Sequence, residues 1–126
     1  MRLLIIILIY SCFNYLISKE YTLESSSRTT TQEMSIDDQF IYKQIKIDGR
    51  WKDSEGEFGL NTCYGYIITR NTSIDLQAFC EKVDSSGEKA WFKIARNSAM
   101  EGGIGMSTYI AATKKYSRLV GLKCPY

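Results

Sequence analysis

Histidine is absent from all 126 residues. That removes every mechanism built on imidazole, including the usual catalytic triads and histidine–zinc sites. A strong charge of either sign is missing too: 16 lysines and arginines stand against 14 aspartates and glutamates. So even a balance gives no electrostatic footprint for nucleic acid or for an anionic membrane. The glycine-rich run Gly102-Gly103-Ile104-Gly105 lacks the Lys-Ser/Thr of a phosphate loop and reads as a flexible turn. The carboxylates of Asp48, Asp53, Glu55, Glu57, Asp84 and Glu88 are scattered through loops, where charge serves solvation. A pair of them could serve a glycosidase, but no apolar setting points to a raised pKa. No internal repeat is read. The chain is therefore expected not to be an enzyme, and to carry neither cofactor nor metal.

What is present begins with an export signal. Met1-Arg2 is a short basic start, and Leu-Leu-Ile-Ile-Ile-Leu-Ile-Tyr opens an apolar run that continues patchily to Ile17. That pattern predicts a secretory signal over residues 1–18, cleaved after Ser18. The alternative is a lipoprotein signal ending at Ser11, with Cys12 lipidated. Either route exports the chain, periplasmic before release, and permits disulfides. Removing residues 1–18 leaves about 108 residues, 15 basic against 14 acidic, and three cysteines: Cys63, Cys80 and Cys124. An odd count leaves one thiol free, buried or joined to another chain.

The informative stretch runs from Cys63 to Cys80. Folded about Asn71-Thr72, it pairs Arg70 with Ser73, Tyr66 with Gln77, Tyr64 with Phe79 and Cys63 with Cys80. The cysteines fall on a non-hydrogen-bonded pair, where Cα atoms approach to about 4.5 Å and a disulfide fits. One face of this hairpin carries Cys, Gly, Ala, Ile and Leu and reads as core. The other carries Tyr64, Tyr66, Phe79, Gln77 and Asp75. Asn71-Thr72-Ser73 is also an N-glycosylation triplet, informative in a eukaryotic source.

Around the hairpin, residues 19–37 are rich in Ser, Thr and Glu and read as a flexible N-terminal arm or an extended lead-in. Phe40–Ile47 alternates and predicts a strand, and Trp51 reads as a core anchor. Ser85 with Glu88 three places on is a capping-box pattern, so Lys89–Met100 reads as a helix stopped by Gly102-Gly103. Ile104–Ala111 and Tyr116–Leu122 follow as strands about a turn at Thr113-Lys114-Lys115. Strand, hairpin, helix, hairpin is the element order of a β fold with one helix, an OB-fold-like five-stranded barrel over residues 38–126.

The cysteine-bracketed hairpin, the helix after it and the terminal run Arg118-Leu119-Val120-Gly121-Leu122-Lys123-Cys124 together resemble the pentameric B subunits of pertussis-type AB toxins. The typhoid toxin and subtilase cytotoxin B subunits are the most similar of these. The chain departs from them in lacking a Trp-Tyr-Pro-like stretch after the helix and a second cysteine beyond Cys124. The resemblance implies a secreted homopentamer that binds sialylated or related host cell-surface glycans and carries a toxin A subunit. It also implies a glycan-binding serine just before the first strand, a position Ser35 matches. Tyr64 and Tyr66, on the non-core face, are the aromatic partners expected beside it. Two readings from other classes stand beside this one. The first is a small periplasmic inhibitor or immunity protein, monomeric and acting by protein–protein binding; the second is a weak carbohydrate-active enzyme.

Overall fold

The computed structural model describes residues 20–99 and 102–126. The expected signal over residues 1–18 and the alternative lipidation at Cys12 fall outside them. The described residues form one antiparallel sheet of seven strands, each hydrogen-bonded to the next in chain order. The strands are β1 (Leu23–Asp37), β2 (Phe40–Asp53), β3 (Phe58–Arg70), β4 (Ser73–Asp84), β5 (Lys89–Ala99), β6 (Met106–Ala112) and β7 (Lys123–Pro125). A 3-10 helix, Lys114–Leu119, sits between β6 and β7. This is an open sheet of seven strands, not the five-stranded OB-like barrel with one helix expected from the element order.

Three local differences produce that correction. The Ser/Thr-rich segment is extended along β2 from Leu23 to Asp37, and it forms the edge strand. Lys89–Ala99 is β5 rather than a helix, paired along its length with β4. Its apolar residues fit both periods: Trp91, Ile94 and Ala95 sit at helical spacing, while Ala90, Phe92 and Ile94 alternate. The ready edge of β4 decides for the strand, since all eleven residues align with it in register and alternate ones exchange backbone hydrogen bonds with it. Finally, the stretch read as a last strand at Tyr116–Leu122 is mostly the 3-10 helix, which buries Tyr116 and Leu119.

The Ser85/Glu88 signal belongs to a hairpin turn, and its carboxylate acceptor is Asp84. Asp84 Oδ1 accepts from the backbone N–H of Ser86 at 2.8 Å and of Glu88 at 3.0 Å. Asp53 does the same for Glu55 at 2.9 Å and Glu57 at 3.0 Å. The two turns share a pattern, Asp53-Ser-Glu-Gly-Glu57 and Asp84-Ser-Ser-Gly-Glu88. Each places its glycine in the left-handed region, Gly56 at φ 87° and Gly87 at φ 88°, where a side chain would be strained.

The sheet has a buried inner face and an open outer one. Ile45, Cys63, Ala78 and Cys80 form one buried cluster on the inner face. Trp51, Ala90, Tyr109, Tyr116 and Leu119 form another, at the end that holds the two Asp turns. The 3-10 helix caps that end. Lys115 reaches Glu57 at 2.8 Å and Asp84 at 2.6 Å, and Arg118 pairs with Glu55, so one short helix clamps both turns.

The hairpin at the centre matches its expected register, from Arg70↔Ser73 through Cys63↔Cys80. Cys63 and Cys80 are joined as a disulfide, with Cα atoms 4.0 Å apart. Cys124 is free and half-buried.

Candidate functional site

Strand alternation puts Tyr64 and Phe79 on the outer face because their neighbours Cys63 and Cys80 are locked into the inner one. The register then builds a row across four strands: Lys46 on β2, Tyr64 on β3, Phe79 on β4 and Lys93 on β5. Tyr64 and Phe79 are 60% and 59% exposed, unusual for two directly opposed aromatics. Lys46 Nζ lies 5.9 Å from the Tyr64 ring centre, and Lys93 Nζ 6.0 Å from that of Phe79. Each end of the aromatic pair thus carries an ammonium within cation–π range.

The next row of the same face is Gln44, Tyr66 and Gln77. Tyr66 stacks on Tyr42 with ring centres 6.3 Å apart and planes at 25°. Lys46 is also paired with Asp48 at 2.9 Å, and Thr62 donates to the same carboxylate at 3.0 Å. Those hydrogen bonds lower the Asp48 pKa, and the bond to Asp48 raises that of Lys46, so both stay charged. The outcome is an open surface of rings, amides and ammonium groups, able to touch apolar faces and hydrogen-bond their polar rims.

Tyr64 and Tyr66 therefore share a face and stand two residues apart on one strand. Ser35 is not with them. It pairs with Ile41, whose alternation aligns it with buried Ile45, so Ser35 belongs to the inner side near the β1–β2 turn. Its hydroxyl donates to the carbonyl of Asp37 at 3.2 Å. Lys46 and Lys93 are the residues that sequence reasoning did not join to the two tyrosines, and Phe79 was placed on their face but not in the site. The lysines enter only through pairings with β2 and β5.

A second concentration of chemistry is buried at the capped end. Lys82 is 1% exposed, with its Nζ 4.3 Å from the Trp51 ring, 4.7 Å from Tyr116 and 5.3 Å from Tyr109. It donates to Tyr21 Oη at 2.8 Å, and Tyr21 donates onward to Asp53 at 3.1 Å. Burial pushes the Lys82 ammonium down to about 8. Burial likewise pushes Tyr109 up to about 12. Desolvation works to raise the Asp84 carboxyl, but hydrogen bonds from Lys115, Ser86 and Tyr116 outweigh it and hold the group well below the usual carboxylate range. A lysine at a core position of a strand, two residues from Cys80 and four from Ala78, was the available signal for this cluster. Among the described residues no group of three or more Asp, Glu or Cys side chains is placed to hold a metal ion. No protein-family model, no curated protein and no solved structure matches the chain.

Proposed function

We propose that the chain is an exported glycan-binding protein that presents the outer face of β2–β5 to cell-surface carbohydrate. What supports this reading is the row Lys46–Tyr64–Phe79–Lys93, with both rings open to solvent. Aromatic faces stack on the C–H faces of sugar rings, while glutamine amides and hydroxyls meet sugar hydroxyls. The Lys93 ammonium favours acidic sugars such as sialic acid over neutral ones, whereas Lys46 already shares its charge with Asp48. A glycan array on the purified protein tests it. Tyr64→Ala and Phe79→Ala should each weaken binding about tenfold, about 1.4 kcal/mol, with melting unchanged because neither ring is buried. Wild-type binding retained in both variants overturns the site.

Assembly as the ring of a toxin's delivery subunit belongs to the same proposal. It draws on β1, an edge strand of fifteen exposed residues that, among the described residues, is hydrogen-bonded on one side only. Long unpaired edges recruit another strand. The segment after Cys80 being β5, the helix that formed part of the toxin resemblance lends it no support. Light scattering at micromolar concentration should show about five chains per particle. A monomer would end the ring proposal and leave the glycan surface standing.

A further inference from the structure

The sheet curls enough for Leu23 on the edge strand β1 and Tyr126 beyond β7 to line one cavity with the inner face between them, ≈ 370 Å³ in volume. That is the liquid volume of about a dozen waters, enough for one small molecule and at the low end of ligand sites. Ile47, Phe92, Ile94 and the Cys63–Cys80 disulfide make an apolar wall, with Trp51 toward the capped end.

Ser25, Ser27, Ser107 and Tyr126 also line it, but the two polar lining side chains that are buried are Asn61 and Lys82. Asn61 and Lys82 stand opposite each other in register on β3 and β4. Asn61 is 9% exposed, and its Oδ1 is buried with no hydrogen-bond partner. Gly49 on β2 leaves room for that oxygen, since a Cβ there would lie 2.7 Å from it. Lys82 spends one N–H on Tyr21, while an ammonium has three. Buried polar atoms are almost always partnered, so an orphan acceptor in register with a lysine whose ammonium has one hydrogen-bond partner and otherwise faces aromatic rings marks a place where a ligand group completes the set. A hydroxyl has the chemistry to meet both, since it can donate to an amide oxygen and accept from an ammonium. A rigid ring behind it suits the flat Trp51, Phe92 and disulfide surfaces and loses little conformational freedom on binding.

We propose that this cavity binds one small hydroxylated aromatic molecule, of the phenol class, with its hydroxyl held between Asn61 and Lys82. This site is on the opposite face from the glycan surface, and neither depends on the other.

The test is calorimetric titration of the disulfide-intact protein with 2-naphthol and with its methyl ether, 2-methoxynaphthalene. The wild type should take up one 2-naphthol per chain and bind the ether about tenfold more weakly, because the ether has no proton for Asn61. Asn61→Leu should bind both within about threefold of each other, having lost only the discrimination. Ser27→Trp, placed on the exposed edge strand where folding tolerates it, should fill the cavity and bind neither. Tyr64→Ala should bind 2-naphthol as the wild type does. No saturable binding by the wild type, equal binding of naphthol and ether, wild-type affinity in Ser27→Trp, or loss of binding in Tyr64→Ala would each overturn the proposal.

Discussion

The two ends of the sheet are built on different principles. At one end, two Asp-anchored turns are clamped by a 3-10 helix over Trp51, Tyr109, Tyr116 and Leu119, with Lys82 enclosed among them. At the other, the turns of β1–β2 and β3–β4 meet through little more than their backbones and surface contacts. Asn71 N–H donates to Gln39 O at 2.9 Å, and the Arg70 guanidinium lies 4.3 Å from the Phe40 ring centre. Ile41, Ile67, Ile74 and Leu76 on that half are all only partly buried. Apolar burial sets most of the stability of a domain this size. Stability is therefore concentrated at the capped end, and the other end is free to yield.

The largest effect should come from removing the cap's core. Leu119→Ala deletes a side chain that is fully buried against Trp51, Ala90, Tyr109 and Tyr116; it should cost about 4 kcal/mol in urea unfolding. Ile74→Ala, at the open end and partly exposed, should cost about 1 kcal/mol. Equal costs would erase the distinction between the two ends.

The disulfide divides the ends more finely. Cys63 and Cys80 are 17 residues apart, and the loop they close is the open-end half of the β3–β4 hairpin. Replacing both with alanine should lose about 3 kcal/mol, on the chain-entropy account of loop closure. Amide exchange should then speed up in residues 64–79 more than in β5 near Ala90. Uniform acceleration along the sheet would mean that the ends unfold together.

Lys82 is the exception within the strong end, a charge held at a cost. Its pKa is about 8 in the folded chain and 10.5 in a free lysine, so the unfolded chain binds more protons between these values. Stability should accordingly rise with pH from about 8 to 10. Above that the sign reverses, because Tyr109, pushed up to about 12, keeps a proton that the unfolded chain loses near 10. Lys82→Met should raise stability at pH 7 by about 1–2 kcal/mol and abolish the rise between pH 8 and 10. A destabilised variant would show that the aromatic cage and Tyr21 more than compensate the buried charge.

How far the sequence could be read follows the same division. The central hairpin was legible to the residue pair, because two cysteines, a two-residue turn and period-two alternation all specify one register. The outer face of Tyr64, Tyr66 and Phe79 came with it. At the capped end only Trp51, read as a core anchor and buried there, was legible. Lys89–Ala99 carries a pattern that fits helix and strand alike, and only the neighbouring edge of β4 settles it. Leu23–Asp37 has almost no apolar signal, since every residue of that edge strand is exposed. The repeated Asp-Ser-x-Gly-Glu turn was present in the sequence as evidence of two like hairpins. Ser85 and Glu88, read as a helix start, masked the second copy. Ser35 could not be placed relative to the tyrosines because face assignment needs a register, and β1 supplies none of its own.

The smallest predicted effect lies at the tip of the open end. Asn71 is the one non-glycine residue among those described with positive φ, at 51°, in the left-handed region. Asparagine tolerates that region because its short side chain bonds locally, whereas a Cβ without such help costs about 1 kcal/mol. Asn71→Ala should therefore lower the melting temperature by about 4–8 °C, and Asn71→Gly should leave it nearly unchanged, since glycine pays no Cβ penalty at that φ. Neither substitution touches an apolar contact: Asn71 is exposed, and its backbone bond to Gln39 survives both. A loss in Asn71→Ala but not in Asn71→Gly would assign this end's order to backbone geometry at one turn. Equal losses in both variants would point instead to the asparagine side chain, and the open end would then owe its order to a specific contact rather than to the permitted conformation of one residue.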